Sequence, residues 1–517
     1  MREKSAIKNA TFVIVQKIIE IIFSFIFRTV LIKTLGTTYL GISGLFTNIF
    51  SLFSLMELGI GSSIVFLMYK PLLENDETTL KALLKLYAKF YNIIAIIITI
   101  IGICIIPFLN NIIKDYSMVS KTINIFPIYI LTLLNVVSSY FFSYRRSLLE
   151  ADQKSYINSF NYMVFNVIGT IIRIVILIIT KNYIFCMLVA VTMNIISNID
   201  IYIKTNKIYP YLKEKSNIKL AKEKTHELYI RMGAATMHQI SNVIVTSTDN
   251  IIISMYIGVI QVGLYSNYVM ITNMIYMLFS LIFSSITANV GNMKFSETSE
   301  KSEKIFNRLF FLNFYFYFIS CVGLNTMINK FISIWLGKEY VFTTMLTFII
   351  VFNLYITGMR HVVVTFINSS GLNYNTRYKS IIESVLNLVL SLILVRFIGI
   401  SGVIIGTVLS FVLVSVWFEP YVLYKNWLGR NGLIKYYMKY ILYISLTVTC
   451  MLVFNRVFNL LNCNNFVEVI LQSCLVFSIL NILIIIMFKN TGEFKYFFDM
   501  IKKMLSSFIE KGKKKNE

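Results

Sequence analysis

The stretch IIAIIITIIGICIIPF, from Ile93 to Phe108, contains no charged side chain. Together with its apolar flanks, it reaches the ~20 residues that a helix needs to cross a ~30 Å hydrocarbon layer. Because backbone N–H and C=O groups in lipid must be hydrogen-bonded within their own segment, such runs predict transmembrane helices. Similar apolar runs recur at 171–180, 311–323, 345–356 and 479–488.

The composition predicts the same fold class for the whole chain. Of its 517 residues, 57% are hydrophobic and only 14% are charged, and the mean hydropathy is +0.72. A soluble protein carries roughly 25% charged residues. The sequence therefore predicts an all-α polytopic membrane protein with about 14 transmembrane helices.

A lysine-rich polar segment separates the sixth predicted helix from the seventh. An even number of helices on each side predicts two bundles of the same orientation, related by a pseudo-two-fold axis along the membrane normal. The predicted organisation is an N-terminal six-helix bundle at 1–206, a basic cytoplasmic linker at 207–230, a second six-helix bundle at 231–425, two C-terminal helices at 426–490 and a basic amphipathic tail at 491–517.

The distribution of lysine and arginine predicts the orientation in the membrane. If both termini are cytoplasmic, most of the 48 Lys and Arg residues fall on cytoplasmic segments, as the positive-inside rule expects. The net charge of +23 then follows from topology and gives no reason to expect nucleic-acid binding. In the tail, apolar side chains share one helical face, which favours a helix lying on the anionic inner surface.

A short glycine-containing motif occurs once in each half of the chain. It reads LGTTYLGISGLFTNI at 35–49 and IGVIQVGLYSNYVMI at 257–271. A constant offset between matching glycines indicates an internal repeat, which is common in transporters. The matching pairs, 222 residues apart, are Gly36 with Gly258 and Gly41 with Gly263.

Two predicted helices carry a polar stripe along one face, assuming ~100° per residue. A lipid-facing Arg or Asp at mid-membrane costs at least ~2.5–3.5 kcal/mol, so we expect both stripes to face a hydrated cavity between the bundles. The stripe of the seventh helix consists of Arg231, His238, Asn242, Thr246 and Asp249. The stripe of the first helix consists of Lys17, Glu20, Ser24 and Arg28.

Helix packing is the alternative explanation for some of these residues. Lys17 and Glu20 are three residues apart and could neutralise each other on their own helix. Arg28 and Asp249 have no opposite charge one turn away on their own helices, which favours a functional role.

Other predicted helices carry polar residues that fit the same cavity. Glu57 lies near the middle of the second helix and Arg173 toward the outer end of the fifth. For Arg173 and Glu383, a side chain that reaches out to the membrane interface is the alternative. The tenth and eleventh helices contribute Asn353, Thr357, Arg360, His361, Ser380, Glu383, Asn387 and Ser391.

Catalytic and metal-binding motifs do not occur in the sequence. It has no Walker A loop, no HExxH pair and only three histidines. We therefore expect a protein that is not an enzyme and binds neither a cofactor nor a structural metal. An enzyme acting on lipid-linked sugars is the alternative, but it would need carboxylates clustered at one membrane face.

Three stretches resemble a known family. They are GLFTNIFSLFSLMELGIGSSIVFLMYKPLLENDE from Gly44, STDNIIIS from Ser247 with GLYSNY from Gly263, and RFIGISGVIIGTVLS through WFEPYVLYK between Arg396 and Lys425. With its predicted bundles of six and six helices plus two, the chain resembles the multidrug/oligosaccharidyl-lipid/polysaccharide exporter (MOP) superfamily. Within it, the sequence is most similar to the Wzx-type flippases of bacterial capsule or O-antigen repeat units.

The resemblance implies a flippase in the bacterial cytoplasmic membrane. Such a protein moves polyprenyl-pyrophosphate-linked oligosaccharide repeat units from the inner to the outer face by alternating access. The resemblance also implies an H+ or Na+ gradient as the driving force, and membrane lipids, a polysaccharide polymerase and glycosyltransferases as partners. A cation-coupled multidrug antiporter and a flippase of the peptidoglycan lipid precursor stay open as alternatives.

Position and charge suggest a role for each polar residue. Arginine offers a forked, permanently charged partner for pyrophosphate, and intramembrane carboxylates and histidines often bind a coupling ion. The predicted substrate-binding residues are Arg28, Arg360, Arg173, Lys17, Asn242 and Asn387. The predicted ion-coupling residues are Asp249, Glu57, His361 and Glu20.

Overall fold

The computed structural model describes residues 2–53, 60–214, 243–244, 247–461 and 463–513. Within these ranges the backbone is helical almost throughout and contains no β-strand. The predicted all-α class is therefore confirmed. The physical reason is that a helix satisfies every backbone hydrogen bond within its own segment, which lipid requires.

The described part of the first half consists of helices joined by short turns. They are α1 (Arg2–Leu35), α2 (Thr37–Phe53), α3 (Ile60–Glu74), α4 (Glu77–Ile105), α5 (Leu109–Ile112), α6 (Tyr116–Thr122), α7 (Ile125–Tyr140), α8 (Tyr144–Ala151), α9 (Ser155–Thr180) and α10 (Tyr183–Ile208).

The second half continues in the same way. Its helices are α11 (Val259–Ser285), α12 (Thr287–Ser296), α13 (Ser299–Trp335), α14 (Thr344–Met359), α15 (His361–Ser370), α16 (Asn373–Ile398), α17 (Ile400–Ser410), α18 (Val416–Leu423), α19 (Leu433–Phe458), α20 (Phe466–Phe488) and α21 (Gly492–Lys513). Two π-helical turns, Phe411–Ser415 and Tyr424–Leu428, flank α18.

Ten helices in the described ranges are long and apolar enough to cross a membrane. A bent pair, Tyr116–Thr122 with Ile125–Tyr140, raises this number to eleven if it is one span. Of the remaining predicted spans, the first is the charge-rich α1. The second and the seventh both include undescribed residues. The protein is a multi-pass membrane protein, and the predicted number of about 14 spans is compatible with the structure.

The chain packs as two compact units. Unit 1 consists of 1–267 with 391–403, and unit 2 of 268–390 with 404–517. The start of the second repeat therefore packs with the first half of the chain. The predicted domain boundaries stay predictions, and most of the predicted linker lies outside the described residues.

Two glycines of the repeat occupy equivalent turns. Gly36 has a φ of +83° and Gly258 a φ of +129°. These positive values disfavour side chains with a Cβ, so glycine suits the sharp reversal between consecutive helices. This conformational match supports the internal repeat that the sequence predicts.

The other two glycines form a helix crossing within unit 1. A Cβ on Gly41 of α2 would collide with the carbonyl oxygen of Val259 in α11, and a Cβ on Gly263 would lie 2.5 Å from the carbonyl oxygen of Thr37. Thr37 and Val259 show the same 222-residue offset as the glycines. The two repeats thus make equivalent contacts with each other at this crossing.

We expect Gly41→Ala to destabilise the protein because its methyl group would force the crossing apart. Overpacking of this kind costs about 1–3 kcal/mol. Gly44→Ala is the matched control one turn along α2, since a Cβ there meets only a Val262 methyl at 3.9 Å. Thermal unfolding in detergent should show a lower Tm for Gly41→Ala and an unchanged or higher Tm for Gly44→Ala. Equal values would contradict this description of the crossing.

The predicted tail forms a helix, α21, that docks on unit 2 at its start. Glu493 forms an ion pair with Lys439 of α19 at 2.7 Å. The Arg308 guanidinium of α13 lies 3.7 Å from the ring centroid of Tyr496. These two contacts attach the first turns of the tail to the bundle, and its position on the membrane surface stays a prediction.

Candidate functional site

A polar cavity of about 1000 Å³ lies within unit 1. It is lined by side chains of α3, α4, α7, α8, α9 and α10. Amides, hydroxyls and tyrosine rings predominate, and the charged lining residues are Arg146, Glu150 and Arg173. Ligand pockets in proteins are typically ~300–1,000 Å³, so this one is large enough for an oligosaccharide-sized polar group.

Arg146 is held firmly at one end of the cavity. Its Nη2 donates to Asn161 Oδ1 at 3.0 Å, to Ser197 Oγ at 3.0 Å and to Asn198 Oδ1 at 3.1 Å. The Asn161 amide in turn donates to Asp200 Oδ2 at 2.7 Å. This network orients a guanidinium whose side chain also lines the cavity. Such an oriented guanidinium can form charge-assisted hydrogen bonds with a phosphate.

Arg146 is not among the predicted site residues, because in the predicted topology it falls on a cytoplasmic segment and not within a span. The reversal before α8, with Phe142 at a φ of +63°, turns Arg146 back toward α9 and α10. A local signal exists, since Asn158 and Asn161 lie close to Arg146 in sequence and both bond to it. The partners on α10 are about fifty residues further along and leave no such signal.

Arg173, a predicted substrate-binding residue, lines the same cavity. Its guanidinium lies 3.9 Å from the ring centroid of Phe27 in α1, a cation–π contact. Its Nε is buried and has no hydrogen-bond partner in the structure. Asn161, which binds Arg146, lies on α9 twelve residues before Arg173, a rise of about 18 Å along the helix, so the two arginines reach the cavity at different levels of α9.

Arg28 lies elsewhere in unit 1, near the C-terminal end of α1. Its Nη1 donates to Asn267 Oδ1 at 2.9 Å, and Asn267 is completely buried. Because the Asn267 side chain is neutral, this hydrogen bond does not neutralise the positive charge of Arg28. The predicted role in anion binding is therefore chemically reasonable for Arg28 and stays a prediction.

Asp249 is buried, with 8% of its surface exposed. Its carboxylate lies within electrostatic range of the Tyr265 hydroxyl, also in unit 1. Next to it, Ser247 Oγ lies 2.8 Å from Ser51 Oγ of α2. Asp249 is therefore buried within unit 1, and its predicted position on a hydrated cavity and its role in ion coupling stay predictions.

Lys17 and Glu20 form the ion pair that the sequence offered as an alternative. Their side chains are 2.9 Å apart and about one third exposed. The pair explains both charges structurally, and the predicted roles in substrate and ion binding stay predictions. Glu57 and Asn242 lie outside the described residues.

Unit 2 contains a buried cluster of four charges. Arg360, between α14 and α15, forms a bidentate pair with Glu419 of α18, with Nε–Oε2 and Nη2–Oε1 distances of 3.0 and 2.7 Å. Lys379 of α16 donates to Glu419 Oε1 at 2.6 Å and lies 3.1 Å from Glu383 Oε2. The side chains of Lys379, Glu383 and Glu419 are at most 6% exposed. Arg360 is 15% exposed.

This four-charge cluster gives a structural reason for a buried arginine at position 360, in addition to the predicted role in substrate binding. The positive charges of two cations and the negative charges of two carboxylates neutralise each other. Ser415 of a π-helical turn donates a further hydrogen bond to Glu383. Glu383 is therefore buried and paired, so its side chain does not reach out to the membrane interface. The role of Arg360 in substrate binding stays a prediction, because its guanidinium is occupied by Glu419 in this structure.

Two other predicted residues of unit 2 lie in packed surroundings. The His361 ring lies 4.5 Å from that of Tyr276, and its Nε2 is buried without a hydrogen-bond partner in the structure. Asn387 is completely buried, and its amide donates to Thr407 Oγ1 of α17 at 2.9 Å. Ion coupling by His361 and substrate binding by Asn387 stay predictions.

Solved structures with the same fold are membrane transporters. The lipid II flippase MurJ in an inward closed conformation matches with a TM-score of 0.67 and 15% identity, over 93% of this chain and 99% of that one. An inward-facing multidrug resistance MATE family transporter of the MOP superfamily matches with a TM-score of 0.61 and 14% identity, over 79% of this chain and 96% of that one. A mutant of the Vibrio cholerae MATE transporter VcmN matches with a TM-score of 0.56 and 14% identity, over 82% of this chain and 98% of that one.

These similarities show that the chain has the fold of solved membrane transporters. The polysaccharide biosynthesis protein family model matches residues 6–287, and the chain belongs to that family. The resemblance to Wzx-type flippases is thereby confirmed at family level. The structural neighbours named above are a flippase and transporters. No curated protein matches the sequence.

Proposed function

We propose that the protein translocates polyprenyl-pyrophosphate-linked oligosaccharide repeat units across the bacterial cytoplasmic membrane for capsule or other cell-surface polysaccharide synthesis. The observation that carries the proposal is the unit 1 cavity, with Arg146 toward one end and Arg173 toward the other. The family's connection with polysaccharide biosynthesis supports the same substrate class.

The cavity lining suits both parts of the polar head of such a substrate. An arginine fork can bind pyrophosphate oxygens in a bidentate manner. Between the arginines, amides and hydroxyls offer partners for sugar hydroxyls, among them Asn135, Asn166, Asn194 and Ser197. Arginines outnumber carboxylates in the lining, which favours an anionic over a cationic substrate.

The orientation follows from the positive-inside rule. With both termini cytoplasmic, Arg146 lies toward the inner face and Arg173 toward the outer face. The substrate, built on the inner face, would then meet Arg146 first. Alternating access, driven by an H+ or Na+ gradient, would release it to the outer face, where a polysaccharide polymerase acts after the glycosyltransferases have acted inside.

We expect Arg146→Gln and Arg173→Gln each to reduce transport by at least tenfold, because each removes one permanent cation from the cavity. Hydrogen bonds to charged groups contribute about 1.5–3 kcal/mol, which corresponds to this range. The measurement is the crossing of a fluorescent polyprenyl-pyrophosphate-linked oligosaccharide in vesicles containing the purified protein.

Arg456→Gln is the matched control, since Arg456 is an exposed arginine of α19. It should transport at the wild-type rate. Wild-type rates in both cavity variants would refute the assigned roles of Arg146 and Arg173. No transport by the wild-type protein, together with export of a cationic dye, would refute the proposed substrate class.

A further inference from the structure

The side chain of Arg146 is held by the protein through only one of its nitrogen atoms. Nη2 donates to three side chains, all of them neutral, which are Asn161, Ser197 and Asn198. Within the described part of the chain, Nε and Nη1 of Arg146 form no hydrogen bond, and neither atom is fully buried. Because Arg146 lines the cavity, these two nitrogens are available to an anion there.

The Asn161 side chain lies between Arg146 and a carboxylate. Its oxygen accepts from Arg146 Nη2 at 3.0 Å and from Ser197 Oγ at 2.7 Å. Its nitrogen donates to Asp200 Oδ2 at 2.7 Å and to the Ser197 carbonyl oxygen at 3.2 Å. An asparagine amide has two donor hydrogens and an oxygen with two lone pairs, so all of its hydrogen-bonding positions are used. Asn161 is only 1% exposed, so these protein groups and not water satisfy the amide.

This arrangement allows only one orientation of the Asn161 amide. A guanidinium can only donate hydrogen bonds and a carboxylate can only accept them. A rotated amide would place its NH2 group against Arg146 and its oxygen against Asp200, and both contacts would be repulsive. Asp200 therefore fixes the orientation of Asn161, and Asn161 in turn fixes Arg146. Asp200 Oδ2 also forms an ion pair with Lys204 of α10 at 2.6 Å, which balances the carboxylate charge.

The amide also keeps the two charges apart. Arg146 and Asp200 bond to opposite ends of Asn161, so no direct ion pair joins them. Arg360 in unit 2 shows the other arrangement, because its guanidinium forms a bidentate pair with Glu419. A directly paired arginine has to release its carboxylate before the same nitrogens can bind another anion, whereas Arg146 does not.

We propose that Asn161 is a positioning residue, a neutral spacer through which Asp200 holds Arg146 in place without neutralising it. The inference rests on the proposed function, because the charge kept available at Arg146 serves the substrate's pyrophosphate. Neither Asn161 nor Asp200 lines the cavity, so both act on the substrate through Arg146. Charge-assisted hydrogen bonds are roughly twice as strong as neutral ones, so an available guanidinium charge has a large effect on pyrophosphate affinity.

Exchanging the two side chains tests the spacer directly. The variant Asn161→Asp/Asp200→Asn keeps the composition and the chain of hydrogen bonds, but it places the carboxylate directly on Arg146. We expect the Tm of the wild type and an affinity for inorganic pyrophosphate that is weaker by about tenfold or more. The measurement is calorimetric titration of the purified protein in detergent. The binding that is lost in Arg146→Gln defines the part due to Arg146.

Lys204→Gln is the matched control, because the exchange also removes the carboxylate partner of Lys204. The Lys204 side chain is 41% exposed, so solvent screens its charge and pyrophosphate affinity should be unchanged in this variant. The inference is overturned if the folded exchange variant binds pyrophosphate as tightly as the wild type. Equal binding by Arg146→Gln and the wild type would also overturn it, because Arg146 would then have no available charge.

A pair of alanine variants tests the same point without introducing a new carboxylate contact. Asn161→Ala removes the spacer and allows Arg146 to pair with Asp200, so we expect pyrophosphate affinity to fall by about tenfold. Adding Asp200→Ala removes the competing carboxylate and should restore most of the affinity. A purely structural role of the network predicts the opposite, and a double variant that binds more weakly than Asn161→Ala would refute the inference.

Failure of this inference and failure of the proposed function give different results. Pyrophosphate binding requires no transport, so the effect of the spacer can be measured in a protein that moves no lipid-linked oligosaccharide. Such a protein would refute the proposed function alone. Transport of lipid-linked oligosaccharide by the wild type, together with unchanged pyrophosphate binding in the exchange variant, would refute the spacer alone.

Discussion

Oxidation of a Ser51→Cys/Ser247→Cys double variant is expected to abolish transport, and reduction is expected to restore it. The two hydroxyl oxygens are 2.8 Å apart, so sulfur atoms at these positions come close enough to form a disulfide bond. A covalent bond between α2 and the helix containing Ser247 would hold these segments together. In the proposed alternating-access cycle the end predicted to face outward must open, so we expect that the locked protein does not complete the cycle.

Neighbouring contacts join the same parts of the chain in the structure. The Lys114 backbone N–H donates to the carbonyl oxygen of Ser254 at 3.2 Å, and its ammonium donates to that of Tyr256 at 3.0 Å. The crossing of Gly41 and Gly263 lies in the same part of unit 1. Opening would separate all of these contacts, which is why one added bond should have a large effect.

Controls are needed because the protein has six native cysteines. Each single serine-to-cysteine variant, oxidised in parallel, should retain its transport rate, and mass spectrometry should find the new disulfide only in the double variant. Full transport by a quantitatively cross-linked double variant would show that this pair does not separate during the cycle.

The second large effect concerns the four-charge cluster of unit 2. We expect Arg360→Met to lower the free energy of unfolding by about 3–5 kcal/mol, because it leaves a buried carboxylate without its bidentate partner. Glu419→Gln should have a similar effect, since it leaves both cations with a single carboxylate. Chemical denaturation in detergent measures both losses.

The charge-balanced variant Arg360→Met/Glu419→Gln is the matched control. It keeps the Lys379–Glu383 pair and should be more stable than either single variant, since replacing a buried ion pair with neutral groups is often close to neutral. Additive losses in the double variant would contradict the pairing. If the double variant is stable yet inactive in transport, Arg360 also acts on the substrate, as its position in the sequence suggested.

Arg173 of the candidate site, and several buried charges outside it, could be predicted from single helices. A polar stripe is visible within one helix because its period is 3.6 residues, and this periodicity singled out Arg28 and Asp249. Arg173 and Arg360 were singled out because a charged side chain within an apolar span is costly. All four have buried or partly buried positions in the structure.

The residues that sequence reasoning missed depend on helices far apart in the chain. No sequence pattern singled out Arg146, and packing against α9 and α10 brings it to the cavity. Glu419 lies 59 residues beyond Arg360, its partner. No local pattern links such positions.

The sequence by itself determined the membrane-spanning helices, the repeat and the inventory of charges within the spans. It did so because hydrocarbon requires apolar, internally hydrogen-bonded segments and makes every exception costly. Only the tertiary structure decided which charges neutralise each other and which line a cavity. The reason is that a helix has two faces and its neighbours in the fold determine what each face meets.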